Sequence, residues 1–136
     1  MFDHRQSNLY FAALALLCAE WIGKETPLSL PTARDQALRA ALTYTRAHLA
    51  DGTFGAACRS AGLSERTLRR RVRQETGMSW NEYRRRARLV AAAALLNDTD
   101  LAVGRIAEQV GFESQSAFAK AFHSLTGKSP RGFRGG

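Results

Sequence analysis

Only two cysteines and three histidines occur in 136 residues. Cys18 and Cys58 form no CxxC pair and have no histidine close by. This excludes a disulfide framework and a metal cluster, and both read as reduced, buried small residues. His4, His48 and His123 are too scattered to hold a metal. No nucleophile–base pair, paired-carboxylate site or Gly-rich phosphate loop is present, so neither enzymatic activity nor a cofactor is expected. Long apolar runs are also lacking. The longest, Leu9–Ala19, has eleven residues, against about twenty for a membrane-spanning helix. That length suits a signal peptide, but Asp3 lies among the leading residues and no A-x-A site follows. Ala15-Leu16-Leu17 before Cys18 lacks the small residue of a lipoprotein cleavage site.

What the sequence does contain is a stretch written twice. Ser64–Tyr83 reads SERTLRRRVRQETGMSWNEY, and Ser114–Phe133 reads SQSAFAKAFHSLTGKSPRGF. Ser64 matches Ser114, Leu68 matches Phe118, Arg70 matches Lys120 and Val72 matches Phe122. Thr76-Gly77 matches Thr126-Gly127, Ser79 matches Ser129, and Tyr83-Arg84 matches Phe133-Arg134. Upstream, Gly62-Leu63 matches Gly111-Phe112, with Glu113 as one extra residue. Two copies of a unit the size of a helix–turn–helix point to a paired reader, not to a catalytic site.

Charge follows the repeat. The net +8 is absent from residues 1–57, where five basic and five acidic residues cancel. Residues 58–90 hold ten arginines and three glutamates, residues 91–100 carry −2, and residues 101–136 carry +3. A basic excess concentrated on a repeated unit is the electrostatic footprint of a nucleic-acid binder.

In chain order, residues 4–22 predict a helix that is apolar most of the way round and must therefore be buried. Leu9, Ala13, Leu16, Leu17 and Trp21 form its stripe. It packs on its own domain or pairs with a second copy, so these residues are a candidate homodimer contact. Residues 23–31 are a Gly- and Pro-containing linker. Thr32, with Asp35 three residues on, predicts the start of a helix over 33–49, with Ala37, Leu38, Ala41, Leu42, Thr45 and Leu49 on one side. The division expected is thus 1–31, helix and linker, and 32–136, the reading domain.

Phe54–Ala61 predicts a short helix and Gly62 its turn. Ser64 caps the first reading helix, about 64–76, with Glu65 near the positive end of its dipole. Leu68 and Val72 face inward. Arg66, Arg69, Arg70 and Arg73 recur at i, i+3, i+4 and i+7 on the other side, more arginine than solubility requires. Gly77 closes the helix. The S-x-x-E of Ser79 to Glu82 opens a long helix to about Asn97, which at 1.5 Å per residue spans roughly 28 Å and could serve as a spacer between two heads. Asp100 is the expected cap of a support helix over 101–110, with Gly111 as its turn. The second reading helix, about 114–125, turns Phe118 and Phe122 inward and Gln115, Ser116, Lys120 and His123 outward. A last helical turn follows Gly127, with Phe133 in the core.

These residues resemble the DNA-binding domain of the AraC/XylS transcription regulators over residues 53–134. Ile106-Ala107, Val110-Gly111-Phe112, Ser114, Ser116, Phe118, Phe122, Gly127, Pro130, Phe133 and Arg134 carry most of the likeness. Ala61-Gly62-Leu63-Ser64, Leu68, Arg70, Glu75-Thr76-Gly77, Tyr83, Arg88, Ala92 and Leu95-Leu96 carry the rest. The resemblance implies an all-α, seven-helix fold with two helix–turn–helix units joined by a long helix. It implies a sequence-specific, double-stranded DNA-binding transcription regulator with two recognition helices in successive major grooves. Arg66, Arg69, Arg70, Gln115, Ser116 and Lys120 are then the base-contacting residues. Ser64, Arg73, Arg84, Arg85, Ser114, His123, Lys128, Arg131 and Arg134 are the candidates for phosphates. A cytoplasmic, nucleoid-associated bacterial protein follows, with promoter DNA as partner and RNA polymerase as a candidate second one. Val72 stands where the family usually has Phe, and Ala57 where it has a larger aliphatic, which implies a smaller core in the first unit. Residues 4–22 and the linker resemble the last helix and connector of a cupin-type effector domain, as in the C-terminal portion of a longer regulator; a naturally short regulator is the alternative.

Two other classes remain at the level of sequence. One is a basic interaction module that binds an acidic protein or RNA without reading sequence. RNA fits poorly, because a helix cannot enter a deep, narrow A-form major groove. The other is a dimerisation fragment whose N-terminal helix is the functional part.

Overall fold

The computed structural model describes residues 28–135. The expected helix over 4–22, with Leu9, Ala13, Leu16, Leu17 and Trp21, lies outside the described residues. Seven helices and no strand occur among the residues described: α1 (Gln36–Ala47), α2 (Phe54–Ala61), α3 (Glu65–Thr76), α4 (Trp80–Asp98), α5 (Val103–Gln109), α6 (Gln115–Thr126) and α7 (Pro130–Gly135). The chain divides into two compact units, one of residues 31–87 and one in which residues 88–135 join the described segment before Pro31. Helix α4 begins in the first and ends in the second.

In the first unit, the core is built from α1 (Leu38, Ala41, Leu42), α2 (Ala57, Cys58), α3 (Leu68, Val72) and the start of α4 (Trp80, Tyr83, Ala87), all buried. Small side chains at Ala41, Ala57 and Ala87 let the helices approach, and the two large rings bring polar atoms that need partners. Both find them on α1. The Trp80 indole N–H donates to Thr45 Oγ1 at 2.9 Å, and Arg46 donates to the Tyr83 hydroxyl at 2.5 Å. Thr45 in turn donates to Ala41 C=O at 2.9 Å.

Helix α1 starts later than its sequence suggests. Asp35 is itself the cap, not the third residue after a Thr32 cap. Its carboxylate accepts from Leu38 N–H at 3.0 Å. The Arg34 and Asp35 amides donate to Glu75 Oε1 at 2.8 and 3.3 Å, and Arg71 pairs with Asp35 at 2.9 Å. Two side chains of α3 thus fix where α1 begins, which no local pattern reveals. The helix also ends earlier than expected, at Ala47, with His48 as its C-cap.

In the second unit, Leu89, Ala92, Ala93, Leu95 and Leu96 of α4 meet Ile106 and Ala107 of α5, Val110, and Phe118, Ala121 and Phe122 of α6. Phe133 of α7 is half-buried and packs edge-on against Phe122, ring centroids 5.2 Å apart. Here too one helix start differs from expectation. Helix α4 runs on to Asp98, and α5 begins only at Val103, with Ala102 at the N-cap and no side-chain cap bond. Thr99, not Asp100, organises the turn: its hydroxyl donates to Leu95 C=O at 2.6 Å and accepts from Leu101 N–H at 3.3 Å.

Between the helices, the written repeat becomes a repeated set of bonds. Ser64 and Ser114 accept from Thr67 N–H at 3.2 Å and Ala117 N–H at 3.0 Å. Thr76 and Thr126 donate back to Val72 C=O and Phe122 C=O, and each accepts from the amide two residues on, Met78 and Lys128, at 3.1 Å. Gly77 and Gly127 between them sit at φ +73° and +78°, which a Cβ disfavours. Ser79 and Ser129 then accept from Glu82 and Gly132 amides at 3.1 and 3.0 Å, opening α4 and α7.

Candidate nucleic-acid interface

Helix α3 separates its residues cleanly. Leu68 and Val72 are buried, and Arg66, Arg69, Arg70 and Arg73 are exposed on the opposite side. Of these, Arg69 is partly anchored, with its guanidinium 5.1 Å from the centre of the Phe54 ring on α2. That stacking limits the side chain's freedom without taking up its N–H donors. The intervening Arg71 is turned aside, held by Asp35. At the helix start, the Ser64 hydroxyl donates to Thr67 Oγ1 at 3.0 Å while capping the backbone.

Helix α6 has the same division with a different surface. Phe118, Ala121 and Phe122 are buried; Gln115, Ser116, Lys120 and His123 are exposed. Lys120 is its only formal cation. Gln115 and Ser116 add an exposed amide and hydroxyl without adding charge. Beyond the helix, Lys128 and Arg131 are exposed.

Two arginines expected at phosphates also have partners within their own units. Arg134 is half-buried, and its guanidinium donates to Leu96 C=O at 3.1 Å and Thr99 C=O at 3.2 Å. It closes the C-terminal end of α4, where backbone carbonyls lack partners and a positive charge is favoured. Arg84 is also half-buried, donating to Gly52 C=O at 3.3 Å with its guanidinium 4.9 Å from the centre of a Trp80 ring. The backbone carbonyl that each meets lies more than thirty residues away in sequence, although the Trp80 ring beside Arg84 is only four residues away. Arg85, by contrast, is exposed.

No cluster of three or more His, Cys, Asp or Glu side chains suited to a metal occurs among the described residues, and no described helix is long and apolar enough to cross a membrane. What the two units present is two capped helices, each reached through a glycine turn (Gly62 at φ +66°, Gly111 at φ +99°) and each with a polar outer face.

A family model described as a helix-turn-helix domain matches residues 57–136, more than half of the chain. The chain belongs to the AraC-type helix-turn-helix family. Among AraC-type relatives, the transcriptional activator RhaR of Klebsiella pneumoniae is 43% identical over 77 residues, which are 57% of this chain and 27% of that protein. The chain therefore spans about a quarter of the length of the curated relatives it matches. An AraC-type transcriptional regulator from Chromobacterium violaceum superposes with a TM-score of 0.70 at 25% identity, covering 73% of this chain and 89% of that one. The DNA-binding domain of the global transcriptional factor AdpA, solved in complex with a target DNA, gives a TM-score of 0.67 at 27% identity, covering 74% and 92%. The all-α fold with two helix–turn–helix units is thus that of AraC-type DNA-binding domains.

Proposed function

We propose that this chain is the DNA-reading part of a transcription regulator, and that α3 and α6 each enter a major groove of a double-stranded promoter. The observation that carries this is the paired architecture: two helices of twelve residues, each behind a glycine turn and a serine cap, with aliphatic or aromatic residues inside and polar or charged side chains outside. On α3, Arg66, Arg69 and Arg70 take the base edges, with guanine favoured by the guanidinium fork. On α6, Gln115 suits adenine, Lys120 guanine, and Ser116 either. Arg73, Arg85, His123, Lys128, Arg131 and the first-turn amides behind Ser64 and Ser114 take phosphates, which fix register and make affinity salt-dependent. The likeness to AdpA, whose domain was solved on DNA, supports the reading.

Nothing in this function calls for catalysis or a cofactor, and its place is the bacterial cytoplasm, on the nucleoid. RNA polymerase is a candidate second partner. The stripe of Leu9, Ala13, Leu16, Leu17 and Trp21 is the proposed homodimer contact.

Selection from random duplex DNA at about 150 mM salt tests the reading. Two short sequence blocks about one helical turn apart are expected. Binding without a motif, lost as salt rises, would instead mark a basic interaction module.

A further inference from the structure

The seven-residue helix α5 has an odd choice in its first turn. Gly104 follows Val103 directly, in a helix with no side-chain cap bond at its start. Glycine is a poor helix former, and a short helix without a cap has little stability to spare. The backbone of α5 gives no reason for it, since Gly104 is not among the positive-φ residues. Its surroundings do. A Cβ placed on Gly104 would lie 2.9 Å from Oε1 of Gln115 and 3.8 Å from its Cδ. The side chain at the start of α6 therefore lies over the bare Cα of α5. The Gln115 amide makes no hydrogen bond to another described residue, so both its donor and its acceptor are available.

The first unit supplies the comparison. Counting back from the matched turns Gly62 and Gly111, Gly55 of α2 occupies the place of Gly104. Glu65 of α3 occupies the place of Gln115. A Cβ on Gly55 would meet only Arg59 Nη1, at 3.5 Å, an ordinary contact within its own helix. The same glycine in the same place thus bears on a reading helix in one unit and not in the other.

We propose that Gly104 is a specificity-determining residue: its missing side chain leaves the space in which the Gln115 amide is held for base reading. The inference rests on the proposed role of Gln115. A methyl group at 104 requires the amide to retreat by about half an ångström to reach an ordinary C···O separation, or to change rotamer. A two-bond pairing with adenine tolerates little of either. The clash is with the far end of a flexible side chain, so the backbone of α5 has no cause to move, and alanine is the better helix former.

The test compares wild type, Gly104→Ala, Gly55→Ala, Gln115→Ala and the Gly104→Ala/Gln115→Ala pair, each by thermal melting and by selection from random duplex DNA. Gln115→Ala should flatten one column of the motif, by roughly five- to a hundredfold in base preference. Gly104→Ala should alter that same column with an unchanged or higher melting temperature. The double variant should match Gln115→Ala alone, since the glycine acts only through the glutamine. Gly55→Ala should leave the motif intact. If Gln115→Ala changes a column that Gly104→Ala leaves alone, the inference falls and the Gln115 reading stands. If Gln115→Ala changes no column, both fall.

Discussion

At the scale of the residue, a positive side chain near a DNA-binding surface can do one of two jobs. Arg70 is exposed on the outer face of α3, whereas Arg134 bridges two carbonyls at the end of α4. Their alanine variants should therefore separate. Arg70→Ala should cost roughly 1–3 kcal/mol of binding and relax preference at one base position, with little change in melting. A uniform loss across all sequences would make Arg70 a phosphate contact. Arg134→Ala should lower stability by about 1–3 kcal/mol, because two charge-assisted bonds to backbone carbonyls are lost, and should leave the salt dependence of DNA binding unchanged. A reduced salt slope at unaltered stability would return Arg134 to the phosphates.

Buried titratable groups give a second prediction at this scale. Burial pushes the Tyr83 phenol above its ordinary 10.0, and the nearby Arg46 opposes this only in part. Burial likewise raises the Cys58 thiol above 9.0, with Glu65 adding to the rise and Arg69 and Arg59 opposing it. In both cases the folded state holds its proton more tightly than the unfolded chain. The stability this brings is present below the ordinary values and is lost as pH rises through the folded ones. Urea unfolding should thus show a decline starting near pH 9 to 10. The decline should be shallower in a Cys58→Ala/Tyr83→Phe variant, whatever that variant's stability at neutral pH. Equal slopes would show that these groups do not govern the alkaline limit.

At the scale of the element, the sequence was most legible where repetition and local bonding coincide. Ser64, Ser79, Ser114 and Ser129 all act as hydroxyl caps, and Gly77 and Gly127 take the left-handed turn, because each needs only neighbours within four residues. Legibility failed where a distant partner decides. Glu75 and Arg71 set the start of α1 from α3, and Thr99 displaced Asp100 because it could bond to the end of α4 as well as to the turn. The outward faces of α3 and α6 could be read from the 3.6-residue period alone. The backbone carbonyls that Arg84 and Arg134 meet could not, since those lie more than thirty residues away in sequence. The reading faces depend on their inner sides. Phe118 is fully buried between Phe112 and Phe122, at ring distances of 5.4 and 5.6 Å. Phe118→Ala should destabilise its unit by about 3–5 kcal/mol. An unchanged melting curve would remove Phe118 from the core.

For the whole molecule, charge and reading surface are divided unequally. Ten of the twenty basic residues lie in positions 58–90, while α6 carries one lysine. Affinity should therefore fall steeply with salt, and alanine at Arg85 or Arg131 should each reduce the slope of log K against log salt by roughly one, with the preferred sequence unchanged. An unaltered slope would mean that the exposed arginine does not neutralise a phosphate.

The unequal division also has a kinetic meaning. Long-range attraction to the duplex comes mainly from the arginines of 58–90, so they set how fast the protein arrives and let it remain on DNA of any sequence while it slides. The amide, hydroxyl and single lysine of α6 add little to that pull. If these groups read bases as proposed, their bonds form only when the right bases come into register, and they act on how long the protein stays. On the proposed reading, the arginine-rich segment 58–90 governs the search and α6 the dwell time at its end.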